Sequence, residues 1–139
     1  MKKGVTNILF VCKANRFRSK IAEAYFKKIN QNPRLNVRSA GIITGNPPIS
    51  SFTKKILNKN FDINVRGNPK PLTRNLLNWT DIIIVVADDV PPAIFSTRVF
   101  KGKLIVWKIK DAYHHNKKEI KRAARQIISK IDDLVKSLA

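Results

Sequence analysis

The chain has 139 residues, and its 28 lysines and arginines against 9 aspartates and glutamates give a net charge of +19 at pH 7. An apolar content of 43% excludes wholesale disorder, and the length predicts a single domain over residues 1–139. The excess of cations favours anionic partners, which leaves nucleic acid, acidic membrane surfaces and phosphorylated substrates as candidates.

The one cysteine, Cys12, excludes an internal disulfide and a cysteine-rich zinc site, which fits a reducing compartment. The apolar run that ends at Cys12 is too short for a signal-peptide core or a membrane span, and charged residues follow it from Lys13 onward. We therefore expect a soluble cytoplasmic protein that does not enter the membrane.

Four apolar runs predict β-strands. They cover residues 7–12, 35–40, 81–87 and 103–107. The first and third runs are continuously apolar and rich in β-branched residues, as in strands that are covered on both faces of a sheet.

Helical patterns lie between these runs. Apolar residues at helical spacing behind Ser19, a residue type that caps helices, predict a helix over about 19–30. Shorter helices are predicted around residues 52–57, 72–77 and 90–95, with Thr73 capping the second of them. Asp88 and Asp89 are interpreted as caps of the third.

The last segment carries the clearest helical pattern, a stripe of apolar residues from Ile120 to Leu138 that predicts a long amphipathic helix. Strands separated by helices predict an α/β fold, a four-stranded, mostly parallel sheet with helices on both faces. Such a sheet binds ligands beyond the carboxyl ends of its strands.

The first predicted strand leads into a loop that is bracketed by a cysteine and an arginine. Its sequence, with the serine that follows, is Cys12-Lys13-Ala14-Asn15-Arg16-Phe17-Arg18-Ser19. Five residues let the backbone curl so that successive N–H groups face one anion, and the helix N-terminus adds its positive end. Arg18 can present its planar fork to two phosphate oxygens, and the same field favours the thiolate of Cys12. The loop therefore predicts a nucleophile beside a phosphate-binding site.

This segment resembles the active-site loop of the low-molecular-weight protein tyrosine phosphatases and the related arsenate reductases. Three later segments extend the resemblance over nearly the whole chain: Ser39-Ala40-Gly41, Gly67 to Thr73, and Asp111-Ala112-Tyr113. It implies hydrolysis of phosphotyrosine or a similar phosphomonoester through a cysteinyl phosphate, with no cofactor and no metal. Inorganic phosphate and other oxyanions would then inhibit the enzyme.

The resemblance also assigns the chemical steps. Cys12 would attack phosphorus, Arg18 would bind the equatorial oxygens, and Asp111 would act first as general acid and then as general base. Cys12 ends the first predicted strand and Asp111 follows the fourth, so we expect both at one rim of the sheet.

Supporting roles follow from the same resemblance. Asn15 would hold the shape of the loop, Ser19 would hydrogen-bond the sulfur, and Tyr113 would line the cleft against a substrate ring. The remaining loop residues would contact the substrate; they are Lys13, Ala14, Arg16 and Phe17.

Five positions depart from the family pattern. Ala14 replaces a glycine, Lys20 and Ala112 replace prolines, Asn68 replaces a loop-supporting histidine, and Phe17 replaces a second cysteine. Alanine is strained at position 14 if the loop requires a positive φ there.

Two other functions fit the sequence. One is arsenate reduction with an external thiol, since the chain has no further cysteine for an internal relay. The other is a catalytically weak, polyanion-binding protein with nonspecific affinity for nucleic acid. His114 and His115 are interpreted as exposed loop residues rather than metal ligands. The sequence leaves open whether the substrate is phosphotyrosine or phosphoarginine. Relatives carry either a small polar residue, such as the threonine of some that prefer phosphoarginine, or an aliphatic residue after the loop asparagine, and Arg16 at this position matches neither.

Overall fold

The fold is built on four strands, which a computed structural model shows together with the rest of residues 4–96, 100–113 and 115–138. The strands are β1 (Thr6–Cys12), β2 (Leu35–Gly41), β3 (Ile82–Val86) and β4 (Lys103–Trp107). They pair in the order β2-β1-β3-β4, and every pairing is parallel. The predicted sheet is confirmed, and it is entirely rather than mostly parallel.

Four α-helices connect and follow the strands. They are α1 (Arg18–Ile29), α2 (Ser51–Phe61), α3 (Arg74–Trp79) and α4 (Lys117–Leu138). The side chain of Thr73 accepts a hydrogen bond from the Leu76 amide at 3.1 Å, so Thr73 caps α3 as predicted. Among the described residues, no helix is both long enough and apolar enough to cross a membrane.

Two of the predicted helix caps are wrong. Helix α1 begins at Arg18 without a side-chain cap, and Ser19 lies inside the helix, where its hydroxyl has other partners. The predicted helix over 90–95 is a single 3₁₀ turn, Pro92–Phe95, which Asp88 and Asp89 do not cap. The proline at 92 holds the preceding residue in an extended conformation, so the turn cannot start earlier.

The sheet separates two hydrophobic layers. Residues Ile8 to Cys12 of β1 are all at most 2% exposed, because β1 is paired on both edges and covered on both faces. On one face, Phe10 packs against Phe26 of α1 and Trp107 of β4, with both ring centroid distances at 6.1 Å. On the other face, Leu9 and its neighbours pack with Phe95 and the leucines of α3. Helices therefore cover both faces of the sheet, as predicted.

Candidate active site

The loop between β1 and α1 is held in place by the end of β2. The amides of Ile42 and Ile43 donate to the carbonyl oxygen of Lys13 at 2.9 and 3.0 Å. A Cβ on Gly41 would lie 2.8 Å from the carbonyl carbon of Ala14 and 2.9 Å from the amide nitrogen of Asn15. Only glycine permits this approach, which explains the glycine that ends the Ser-Ala-Gly segment.

The backbone of this loop offers hydrogen-bond donors that the protein itself does not use. Within the described ranges, the amides of Lys13, Ala14, Asn15 and Phe17 donate to no other residue. Buried or half-buried peptide donors are normally satisfied, and a row of them before a helix N-terminus suits an anion.

Asn15 fixes the shape of the loop. It is completely buried and adopts a φ of 54°, in the left-handed region that asparagine tolerates better than most residues. Its Nδ2 donates to Ser19 Oγ at 2.7 Å, and its Oδ1 accepts from the Lys70 amide at 2.9 Å. Because the positive φ falls on Asn15, the strain that alanine would have caused at position 14 does not arise.

Ser19 connects the loop to the sulfur. Its Oγ lies 3.0 Å from Cys12 Sγ, and Cys12 is 2% exposed. Since this oxygen already accepts a hydrogen bond from Asn15, its own proton is available for the sulfur. A hydroxyl that donates to sulfur stabilises the thiolate form.

Arg18 is buried among carboxylates. It is 2% exposed, and its Nη2 donates to Asp89 Oδ1 at 2.9 Å while its Nη1 donates to the carbonyl of Ile109 at 2.9 Å. Asp88 and Asp111 each place a carboxylate oxygen near the guanidinium, at 3.6 Å from Nη1 and 3.7 Å from Nε. The interpretation of Asp88 and Asp89 as helix caps is thus wrong, because a buried guanidinium needs paired charge more than an exposed turn needs a cap.

Asp111 lies on a loop that is hydrogen-bonded to helix α4. Its side chain is 58% exposed, and its Oδ1 accepts from the Ala112 amide at 2.9 Å. Arg122 of α4 donates to the carbonyls of Lys110 and Asp111, both at 3.0 Å. Arg122 thus fixes a loop in which Ala112 stands where the family pattern has proline. Helical periodicity did not single out Arg122, because it gives no signal for a contact with a loop.

These segments enclose a pocket of about 180 Å³. The predicted residues Cys12, Arg18, Asp111 and Tyr113 all line it, whereas Asn15 and Ser19 do not line it and act through the contacts described above. The remaining lining residues are Lys13, Ala14, Arg16, Phe17, Asn46, Ile49, Ser50, Thr53, Ala112 and Ile120.

The rim of the pocket includes Asn46, a side chain that the sequence did not single out. Asn46 has a buried amide nitrogen with no hydrogen-bond partner among the described residues, so this group is available to a ligand in the pocket. Tyr113 is 77% exposed at the mouth. The ring centroids of His115 and Phe52 lie 5.5 Å apart in an edge-to-face arrangement, and His114 lies outside the described residues. The described part of the chain contains no group of three or more side chains suited to a metal ion.

Comparison with known proteins places the chain in a family. The model of the family described as low molecular weight phosphotyrosine protein phosphatase matches residues 7–139. The protein-arginine-phosphatase of Bacillus subtilis (strain 168) is 34% identical over 84 residues, which are 58% of this chain and 55% of that protein. The matched segment therefore spans about half the length of that relative.

Solved structures share the fold. A low molecular weight protein tyrosine phosphatase from T. tengcongensis superposes with a TM-score of 0.80 at 24% identity, over 95% of this chain and 99% of that one. A thioredoxin-dependent arsenate reductase from Corynebacterium glutamicum superposes with a TM-score of 0.71 at 24% identity, over 99% of this chain and 63% of that one. With the family match over residues 7–139, the chain belongs to the low molecular weight phosphotyrosine protein phosphatase family.

Proposed function

We propose that this protein is a cysteine-dependent phosphatase that hydrolyses aryl phosphate monoesters of the phosphotyrosine class. The observation that carries the proposal is the pairing of Cys12 Sγ with Ser19 Oγ at 3.0 Å in a pocket that Arg18 and Asp111 also line. The unused amides of the loop supply the donors that a phosphate dianion needs.

The chemistry follows from these positions. The phosphoryl group enters the loop, and the Cys12 thiolate attacks phosphorus as the bond to the leaving oxygen breaks. Asp111 gives its proton to that oxygen, which leaves as the alcohol or phenol. Asp111, now a carboxylate, takes a proton from the water that attacks the cysteinyl phosphate. Phosphate is released, and the thiolate is restored with the Ser19 hydroxyl donating to it.

The three carboxylates around Arg18 differ in position, and their positions suit different roles. Asp89 is in direct contact with Nη2 and, together with the Ile109 carbonyl, orients the guanidinium. Asp111 is the most exposed of the three and lies furthest from the guanidinium, at 3.7 Å. It is therefore the carboxyl group that can turn toward a leaving oxygen when the substrate occupies the pocket.

The walls of the pocket favour an aromatic leaving group. Phe17, Ile49, Tyr113 and Ile120 contribute apolar surface that suits a ring. Arg16 lies at the same pocket, with its guanidinium donating to the Pro48 carbonyl at 3.1 Å, and its positive charge disfavours a substrate whose leaving group is itself a guanidinium. Phosphoarginine is the second candidate, because the relative that is 34% identical is a protein-arginine-phosphatase.

The first test measures hydrolysis of an aryl phosphate by the protein and by Cys12→Ser. We expect wild-type turnover that vanadate inhibits, and a loss of at least about a thousandfold in the variant, since no second nucleophile replaces the thiolate. A circular dichroism melt serves as the control for folding. Comparable turnover by a folded Cys12→Ser protein would contradict the proposal. The ratio of kcat/KM for phosphotyrosine and phosphoarginine peptides decides between the two substrates.

A second test addresses Asp111. In Asp111→Asn, we expect kcat for an alkyl phosphate to fall by about a hundredfold or more, because the leaving alkoxide needs a proton. Nitrophenolate leaves without one, so nitrophenyl phosphate should lose much less. Asp133→Asn, on the exposed side of α4, is the matched control. Equal losses for both leaving groups would remove the general acid assignment.

A further inference from the structure

A second cavity, of about 310 Å³, lies between α1 and the segment that follows α2. Four of its lining residues are cationic: Lys20 and Lys27 from α1, and Arg66 and Lys70 from the following segment. Glu23 is its one acidic lining residue, and Ala24, Asn64 and Gly67 complete the lining. No residue lines both this cavity and the catalytic pocket.

Lys20 is the unusual member of this group. It is 4% exposed, yet within the described ranges no carboxylate oxygen lies within 4.0 Å of its ammonium nitrogen. Burial lowers the pKa of Lys20; Glu23 opposes this effect, and Lys70 and Lys27 add to it. A buried lysine normally has a paired charge, and Lys20 has no such partner in direct contact in the described part of the chain.

Glu23 attracts the Lys20 charge but forms no direct ion pair with it among the described residues. One of its oxygens accepts from Ser39 Oγ at 2.5 Å, and the other accepts from Lys27 Nζ at 2.9 Å. In the part of the chain that the structure describes, Arg66 and Lys70 form no ion pair either. Lys20, Arg66 and Lys70 thus line the cavity without a direct ion pair among the described residues, and the single carboxylate of Glu23 offsets their charge only in part.

We propose that this cavity is a second anion-binding site, which takes a small tetrahedral oxyanion of the phosphate class. The anion would lie between the Lys20 ammonium and the exposed side chains of Arg66 and Lys70. Gly67, with a φ of 85°, keeps a side chain away from this space, since a Cβ there would lie 3.7 Å from Lys20 Nζ.

Hydrogen bonds connect this cavity to the catalytic loop, residues 12–19. The amide of Lys70 donates to Asn15 Oδ1 at 2.9 Å, and Asn15 in turn holds Ser19 beside the sulfur. Lys70 thus contributes its backbone amide to the support of the loop of residues 12–19 and its side-chain charge to the second cavity. The second cavity shares no lining residue with the catalytic pocket, so it can bind an anion whether or not the protein is a phosphatase.

The test is a titration of the ¹⁵N-labelled protein with inorganic phosphate, at constant ionic strength maintained with chloride. We expect two saturable sets of amide shifts with different midpoints, one in residues 12–19 and one in residues 20–27 and 64–70. In Lys70→Gln and in Arg66→Gln, the second midpoint should rise by about tenfold or more, because each loses a charge-assisted hydrogen bond. The first set should keep its midpoint.

Lys130→Gln, an exposed lysine of α4, is the control and should change neither midpoint. Linear, unsaturated shifts in residues 20–27 and 64–70, or equal effects of all three substitutions, would overturn the second site. The shifts in residues 12–19 report separately on the catalytic pocket, so the two proposals fail independently.

The oxyanion has two sources, free phosphate or a phosphoryl group on a small molecule. A parallel titration of Cys12→Ser with O-phosphoserine separates them, because this variant is not expected to consume the ligand. Tighter saturation by phosphoserine identifies the phosphomonoester, and tighter saturation by phosphate identifies the free ion. Saturation by neither would overturn the site.

Discussion

Ser19 Oγ lies between the side-chain amide of Asn15, which donates to it, and Cys12 Sγ, to which it donates. This arrangement orients a single proton toward Cys12 Sγ. The same proton would stabilise the thiolate both as the attacking group and as the group that leaves from the cysteinyl phosphate.

Replacing Ser19 tests that arrangement. Ser19→Ala removes a hydrogen bond to a charged group, worth about 1.5–3 kcal/mol, so kcat for nitrophenyl phosphate should fall by about ten- to a hundredfold. KM should change little, because the phosphate donors remain. Ser51→Ala, at an exposed position of α2, is the control. Equal kcat values for the two variants would show that the contact with sulfur does not assist catalysis.

Residues close in sequence were the predictable part of the site. The cysteine and the arginine are separated by a spacing that the backbone itself converts into a loop, so Cys12 and Arg18 could be chosen from the sequence. The contact of Arg18 with Asp89 spans 71 residues, and that of Arg122 with the Asp111 carbonyl joins a helix to a loop. No local pattern encodes such contacts, because they depend on how the elements pack.

At the level of elements, the hydrogen bond from Ser39 of β2 to Glu23 joins the sheet to α1 next to the phosphate loop. Burial opposes the charge of Glu23, but the hydrogen bonds from Ser39 and Lys27 outweigh it and hold the pKa of Glu23 below its ordinary value. A carboxyl group whose folded pKa is depressed stabilises the fold above its unfolded pKa, and this contribution is lost as the pH falls through the folded pKa.

Ser39→Ala should therefore cost the most at neutral pH. We expect a loss of about 1.5–3 kcal/mol in the free energy of unfolding near neutrality, the usual size for a hydrogen bond to a charged group. The loss should shrink below the ordinary pKa of 4.5, where Glu23 becomes protonated in the unfolded and then in the folded state. Urea denaturation across this range measures it. A difference that does not vary with pH would show that Ser39 contributes packing only.

The elements themselves were largely readable from the sequence. The four strands end within one residue of their predicted ends, because strands buried on both faces need continuous apolar runs. Helix starts were less predictable. The Ser19 hydroxyl contacts the sulfur of Cys12 instead of capping α1. The prolines at 91 and 92 shorten the helix predicted over 90–95 to one turn.

For the whole molecule, the charge is distributed unevenly. Residues 1–40, which include the loop of residues 12–19, contain ten lysines and arginines, and Glu23 is their one acidic residue. Such a field attracts anionic substrates over distances comparable with the Debye length, which is about 8–10 Å near physiological salt.

The field predicts how turnover depends on salt. For a phosphopeptide with acidic flanks, kcat/KM should fall by about tenfold as ionic strength rises from roughly 0.02 to 0.2 M, with kcat unchanged. A phosphopeptide with basic flanks should show a much weaker or opposite trend. Steady-state kinetics on the two peptides provide the measurement. If kcat/KM falls equally for both peptides, the cause is competition between salt anions and substrate for the catalytic loop rather than long-range attraction.

The two sides of the cleft differ in how they are held. Cys12 ends a strand that is buried and paired on both edges, whereas the loop of Asp111 depends on two hydrogen bonds from Arg122, whose side chain is 29% exposed. In terms of amide hydrogen exchange, Phe10 and Val11 should open only when the whole domain unfolds, and Ala112 should open through local fluctuation. Cys12, the proposed nucleophile, is thus protected by the global stability of the fold, while the position of Asp111, the proposed acid, depends on a much smaller, local free energy.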